Sequence, residues 1–212
     1  MFQRERRSRA YYDGRARWYD STNRIAAWLR GASPRRERRR AVRRLNLKPG
    51  DRVLEVSVGT GTNLPFIAER IGDAGCIVGL DISRGMLGVC QRKLRARHIE
   101  AGLVEGEAAH PPFADGAFDS VFHHGGIAEF SDRGAAIAEM FRVVRPGGRV
   151  LICDVGVPTD RPLSLVNRLL LRLQPEYDQP PPLESLPAAA QDVRLSWYFG
   201  GAWYMIEFNR PE

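Results

Sequence analysis

The sequence predicts an α/β protein: a doubly wound, mostly parallel seven-stranded sheet that ends in an antiparallel hairpin, behind a basic helical preface. Three observations predict it. From residue 51 onward, short apolar runs alternate with helix-length segments, as they do when parallel strands are joined by helical crossovers. A glycine-rich turn follows the first apolar run. Near the end, two aromatic-rich runs flank Gly200-Gly201 and break the alternation in the manner of a hairpin.

The elements follow in order. Tyr11, Tyr12, Trp18, Tyr19, Ile25, Ala26, Trp28 and Leu29 keep a ragged helical period, interrupted near Gly14 and around Asp20–Asn23. Ser33-Pro34 reads as an N-cap with proline at the first helical position, opening a helix to about Leu45. After Lys48-Pro49-Gly50 come a strand at Arg52–Ser57, the glycine turn, and a helix at Leu64–Ile71. Cys76–Leu80 is a second strand ending at Asp81, and Ser83 caps a helix to about Arg97. Strands are expected near Ala101–Val104, Phe118–His123 and Val150–Val155, the last two separated by a helix from Arg133 to Val144 that the turn RPGG closes. Val193–Phe199 and Trp203–Phe208 form the hairpin. The chain thus divides into a preface, residues 1–50, expected to cap the active site, and a body, residues 51–212.

Charge divides in the same place. The 212 residues carry 32 basic and 25 acidic side chains. Residues 1–50 hold 16 of the basic and 4 of the acidic ones, a net of +12, and the rest of the chain nets −5. All basic residues but Lys48 and Lys93 are arginine. So concentrated a field suits an anionic membrane surface, nucleic acid or an acidic ligand, with a solvated helix face as the plainer alternative. No apolar run reaches the length of a membrane span, and the basic start has no apolar core behind it, so neither a span nor a secretory leader is expected. Cys76, Cys90 and Cys153 have no metal-ligand or C-x-x-C spacing and read as core residues of a protein kept in a reducing cytoplasm.

The chemistry lies at the strand ends. In Glu55-Val56-Ser57-Val58-Gly59-Thr60-Gly61-Thr62-Asn63, glycines at a strand-to-helix turn let backbone approach a ligand at the positive end of a helix. A dinucleotide fingerprint wants a third glycine where Leu64 stands, so the glycine that would pack helix on strand is missing. Glu55 is placed to hold a cationic amine. Asp81 ends the second strand, where a carboxylate accepts from ribose hydroxyls. Together they point to an aminoacyl nucleoside. After the fourth strand comes Phe122-His123-His124-Gly125-Gly126-Ile127-Ala128-Glu129, in which a histidine with an ordinary pKa of ~6.5 suits proton removal near neutrality.

These residues resemble the class I S-adenosylmethionine-dependent methyltransferases over about Tyr11 to Glu212. Glu55 to Gly61 match the family's [DE]-x-G-x-G-x-G, and Asp81 in GLDISRGML its ribose carboxylate. Gly106-Glu107-Ala108, Pro112-Phe113 and Phe118-Asp119 match the acidic motif beside adenine, and EMFRVVRPGGRVLI matches the helix, turn and fifth strand. Arg17-Trp18-Tyr19-Asp20 with Asn23 resembles the preface of ubiquinone/menaquinone C-methyltransferases and equally that of bacterial phosphatidylethanolamine N-methyltransferases.

The resemblance implies the Rossmann-like methyltransferase fold and S-adenosyl-L-methionine as cofactor. Tyr19, Glu55, Ser57, Gly59, Gly61, Asn63, Asp81, Ile82, Met86, Glu107, Ala108 and His123 would surround the cofactor, with His124 and Glu129 turned to the acceptor and no metal. Ser57 departs from the family's first glycine and puts a side chain where the methionine end passes. Glu107 stands for the usual Asp. A small, lipophilic or lipid-derived acceptor, a phospholipid amine or a quinone, is the leading expectation, met at the inner membrane face. Pro158–Gln191, with Leu163, Leu165, Leu169–Leu171, Leu173 and Pro180–Pro182, would cover its pocket, its leucines reading equally as a lid for a lipophilic substrate or as a helix packed on the sheet. Nucleic-acid methylation is the second reading, weakened by the absence of target-base motifs, and a cofactor-binding scaffold without transfer activity is the third.

Overall fold

The central strands read as unbroken apolar runs because both of their faces are covered. Val53 and Leu54, Val121 and Phe122, and Val150 to Cys153 are all inaccessible to solvent. A computed structural model describes residues 2–21, 33–158, 179–198 and 203–212. Within them run α1 (Phe2–Arg15), α2 (Pro34–Arg44), β1 (Arg52–Val56), α3 (Leu64–Ile71), β2 (Cys76–Asp81), α4 (Arg84–Arg95), β3 (Gly102–Glu105), β4 (Phe118–His124), α5 (Arg133–Val143), β5 (Val144–Val155), β6 (Gln191–Tyr198) and β7 (Trp203–Asn209). Ile25, Ala26, Trp28, Leu29, Asn23, the leucines between 163 and 173, and Gly200-Gly201 lie outside the described residues.

The seven strands form one sheet in the order β3-β2-β1-β4-β5-β7-β6. β1 to β5 pair in parallel, and β7 runs antiparallel to both β5 and β6. The expected hairpin is therefore present, with Tyr198 opposite Trp203. Its second strand, not its first, joins the parallel sheet. Strand order reverses between β1 and β4, and in open α/β sheets the crevice beyond the carboxyl ends of such a pair is where ligands bind.

One core lies on each face. Leu64, Ile67, Ile71, Leu87, Cys90 and Leu94 pack with Val53, Phe122 and Leu151 on the first, and Ile137, Met140 and Val143 pack with Leu54, Val121 and Ile152 on the second. Ala41, Val42 and Leu45 of α2 belong to the first core. The basic helix is thus amphipathic, with a narrow apolar stripe on the sheet and exposed Arg35, Arg36, Arg40, Arg43 and Arg44. Among the described residues no helix is long and apolar enough to cross a membrane.

Three local details depart from expectation. Ser33 precedes α2 in extended conformation, but its side chain makes no cap bond, and proline at the first turn carries the start alone. RPGG does not leave the sheet: β5 begins at Val144 and bulges, so that Phe118 faces Val144 while Ser120 faces Arg149. Ser57 lies beyond β1 rather than in it, at φ 56°.

Candidate active site

β1 delivers Glu55 to the crevice because inward and outward side chains alternate, placing Glu55 on the face of Val53. It is 1% exposed. Asn63 Nδ2 donates to its Oε1 at 2.5 Å, while its Oε2 is buried without a partner. Burial pushes this carboxyl up to about 8, against the lowering pull of the Asn63 bond and of the Arg38 charge. Asn63 stands at the start of α3, but its side chain does not cap the helix. Its Oδ1 accepts from Arg38 Nη1 at 2.9 Å, so one amide links the preface to the end of β1.

β2 ends in Asp81, whose two oxygens accept from the amides of Gly59 at 2.7 Å and Ser83 at 2.9 Å. Burial raises this carboxyl above its ordinary value, with the backbone bonds opposing. The loop between β1 and α3 takes left-handed conformations at Ser57, Gly59 and Gly61, with φ of 56°, 55° and 72°. At Gly61 a Cβ would collide with Cys90 Sγ. Gly61 therefore does the close packing, on α4, that the missing third glycine seemed to leave undone. At Ser57 the departure from glycine has a backbone aspect as well as a steric one, because a left-handed conformation costs an ordinary residue ~1 kcal/mol.

The preface lays two carboxylates on these loops. Asp13 Oδ1 accepts from Ser83 Oγ at 2.6 Å and from the Gly85 amide at 2.8 Å, at the N-terminus of α4. Asp20 accepts from Thr60 Oγ1 at 2.6 Å and from Lys93 Nζ at 2.8 Å, and Lys93 also reaches Thr60 Oγ1 at 3.1 Å. Burial alone would raise Asp20, but the bonds from Lys93 and Thr60 outweigh it and hold the carboxyl below its ordinary value. Tyr19 is half-buried, with its ring 6.2 Å from that of Tyr12.

The histidines differ. His123 shares the β4 face of Val121, and its Nδ1 lies 3.0 Å from the Val56 carbonyl. Burial lowers it to about 4, so the ring is neutral. His124 faces the other way, its ring 5.0 Å from that of Trp203 and 6.0 Å from that of Phe122. It is 9% exposed, and neither ring nitrogen has a hydrogen-bond partner. Burial first, and then the charge of Arg38, push it well below its ordinary value, which corrects the expectation of a histidine titrating near neutrality. Glu129 is half-buried at the end of the 3-10 turn Ile127–Glu129 and makes no bond to His124. Asp154 Oδ2, buried at the end of β5, accepts from the amide of Ile127 at 2.6 Å and fixes that turn.

Beyond β3, Glu107 Oε1 accepts from Ser131 Oγ at 3.0 Å, and Ala108 packs against the second core. Ile82, between β2 and the cap of α4, is half-buried, and Met86 in the first turn of α4 is 2% exposed. Glu55, Asn63, Gly59 and Asp81 thus converge around the β1–α3 loop, whereas Glu107 is bonded to the segment before α5 instead.

Arg38, Asp13, Lys93 and Asp154 were not singled out from the sequence. Arg38 carried a signal nonetheless. It lies three, four and seven residues before Ala41, Val42 and Leu45, on the stripe that packs against the sheet.

The chain is 38% identical over 168 residues to the demethylmenaquinone methyltransferase of Renibacterium salmoninarum, covering 78% of this chain and 66% of that one. It is 35% identical over 182 residues to that of Mycolicibacterium vanbaalenii, covering 86% and 70%. It spans 58% of the length of the Oceanobacillus iheyensis relative, so other curated relatives extend further beyond it. A crystal structure of a SAM dependent methyltransferase from Aquifex aeolicus superposes with a TM-score of 0.60 at 18% identity, over 83% of this chain and 93% of that one, and so shares the fold. The model of the ubiE/COQ5 methyltransferase family matches residues 2–170, helical preface and glycine loop alike, and the chain belongs to that family.

Proposed function

We propose that the protein is an S-adenosylmethionine-dependent methyltransferase acting on a small, lipophilic, quinone-like acceptor. The observation that carries this reading is Glu55: a buried carboxylate with an unpartnered oxygen, at the head of a glycine loop, is a socket for a cation. The aminoacyl end of the cofactor brings an ammonium. When bound, the cofactor supplies an electrophilic methyl group on its sulfonium. Glu55 takes the ammonium, and Asp81, its carboxylate already oriented by two amides, takes the ribose hydroxyls. Ser57, Gly59, Gly61 and Asn63 border the methionine end. Ile82 and Met86 flank the nucleoside, with Glu107 and Ala108 at the adenine and His123 between the two ends.

Residues 1–50 cap this site, and Tyr19 closes over it. His124, kept neutral by burial, accepts the proton of the acceptor, and Glu129 orients it. Methyl transfer otherwise asks for alignment in a water-poor crevice. The exposed arginines of α2 hold the protein against the cytoplasmic face of an anionic membrane, where a lipophilic acceptor resides. The demethylmenaquinone methyltransferases among its relatives support the acceptor class.

The test is transfer of labelled methyl from S-adenosylmethionine to a reduced, prenylated demethylnaphthoquinone carried in anionic vesicles, with phosphatidylethanolamine as the competing acceptor. Label on the quinone ring is expected. Label on the lipid amine would move the acceptor to phospholipids. Tight binding of S-adenosylhomocysteine with no label on either would leave a cofactor-binding scaffold. In the same vesicles, sedimentation of the protein should fall steeply with added salt, as arginine-mediated attachment does.

A further inference from the structure

Glu55 accounts for one charge of an aminoacyl group, and an α-amino acid carries two. Arg38 is half-buried on the sheet-facing stripe of α2. Its neighbours Arg39, Arg40 and Arg44 are paired with Glu69, Glu37 and Glu207. Among the described residues Arg38 has no carboxylate partner. It spends one of its five N–H donors on Asn63 Oδ1, at 2.9 Å, and Asn63 passes the contact on to Glu55 Oε1.

The intervening amide has a specific consequence. Had Arg38 and Glu55 met directly, each would have neutralised the other and the site would hold no net feature for a ligand. Asn63 instead spaces a guanidinium and a carboxyl by the width of one amide. It occupies Oε1 of Glu55 and leaves Oε2, buried and unpartnered, for the ligand. The field of the guanidinium reaches Glu55, His124, Cys153 and Tyr198 around the same crevice. Once an ammonium draws Glu55 into its ionised form, the two opposite charges one amide apart are complementary to a zwitterion whose ammonium and carboxylate share a carbon.

We infer that Arg38 binds the carboxylate of the cofactor's aminoacyl end while Glu55 binds its ammonium, with Asn63 setting their separation. This rests on the cofactor reading above and extends it, because it makes a residue of the basic preface a cofactor ligand. The preface then does more than cover the site: it completes it.

The experiment titrates the full chain calorimetrically with three nucleosides. S-adenosylhomocysteine carries both charges, its decarboxylated analogue the ammonium alone, and 5′-methylthioadenosine neither. Arg38→Met should weaken S-adenosylhomocysteine by about 10- to 100-fold, the worth of a charge-assisted bond, and leave the other two nearly unchanged. Arg38→Lys should recover part of the loss. Should Arg38→Met fail to melt cooperatively, Arg38→Lys and Arg38→Gln carry the same three-ligand comparison. Equal loss on all three ligands would make Arg38 structural and overturn the inference, as would unchanged affinity for S-adenosylhomocysteine. If the parent protein bound none of the three, the cofactor reading itself would fall.

Discussion

Binding a cationic ligand at Glu55 should expel a proton. In the empty site burial holds this carboxyl at about 8, so near pH 7 it is ~90% protonated and ionising it costs ~1.4 kcal/mol. An ammonium at Oε2 supplies the missing counter-charge and drives the carboxyl to its ionised form. Association with S-adenosylhomocysteine should then release ~0.9 proton near pH 7 and ~0.5 near pH 8, and affinity should rise about fivefold over that interval. Calorimetry in two buffers of different ionisation enthalpy measures the release directly. Glu55→Gln should abolish it while keeping the Asn63 bond, because an amide oxygen replaces Oε1. The substitution also separates Glu55 from Asp81, whose carboxyl is raised too.

The stability of the free protein moves in the corresponding sense. The native pKa lies above the unfolded value of ~4.3, so the native state holds the proton more tightly. The stability this confers is complete below that value and is lost as pH rises through about 8. Glu55→Gln should flatten that slope. Tight binding without proton release in either buffer would refute the reasoning, since it would mean that the carboxyl is already ionised or that no ammonium meets it.

Three further outcomes are expected. Gly61→Ala should cost ~2–4 kcal/mol in chemical denaturation, from its positive φ and its collision with Cys90 Sγ, and adding Cys90→Ala should restore the collision's share alone. Lys93→Met should cost only ~1 kcal/mol near pH 7, because the pair is partly exposed; Asp20 is held below its ordinary carboxyl value, so the difference should be present above the unfolded value and vanish as pH falls through the native one. His124→Asn should lower turnover ~10²–10⁴-fold with S-adenosylhomocysteine affinity unchanged, and the acid limb of the parent kcat/KM profile should lie below the ordinary imidazole value, since burial lowers His124; a limb at or above that value would remove His124 as the base.

β1, β2, β4, β5 and β7 were legible because each buries an apolar run, and the starts of α2 and α4 were legible from the proline and the serine that stand there. Ser83 does cap α4 through Met86, and α3 spans the residues its pattern marks. Glu55 and Asp81 stood out because a carboxylate at the end of an apolar strand is costly without a purpose. What escaped were the contacts made across long stretches of chain. Asp13 and Ser83 are 70 residues apart, Asp20 and Lys93 73. Nothing in local pattern tells a tethering carboxylate from a solvated one. Arg38 was hidden by composition, one arginine among many, although its phase with Ala41 and Val42 set it apart. The low affinity of His124 for a proton was unreadable for another reason: it depends on burial of the ring beside Phe122 and Trp203 and on the charge of Arg38, which only the folded chain brings about.

The placing of β7 between β5 and β6 bears on how the chain is made. During translation β6 leaves the ribosome before β7, yet it has no sheet edge of its own to join, because the seat beside β5 belongs to the strand that follows. Until β7 emerges, β5 presents an open row of amides and carbonyls to solvent, and β6 is left unpaired, with Val193 and Leu195 exposed even in the finished protein. Completion of the sheet is therefore a late insertion rather than a stepwise extension. Pulse-labelled hydrogen exchange should find the β5 and β7 amides protected together, with β1 and β4 protected earlier.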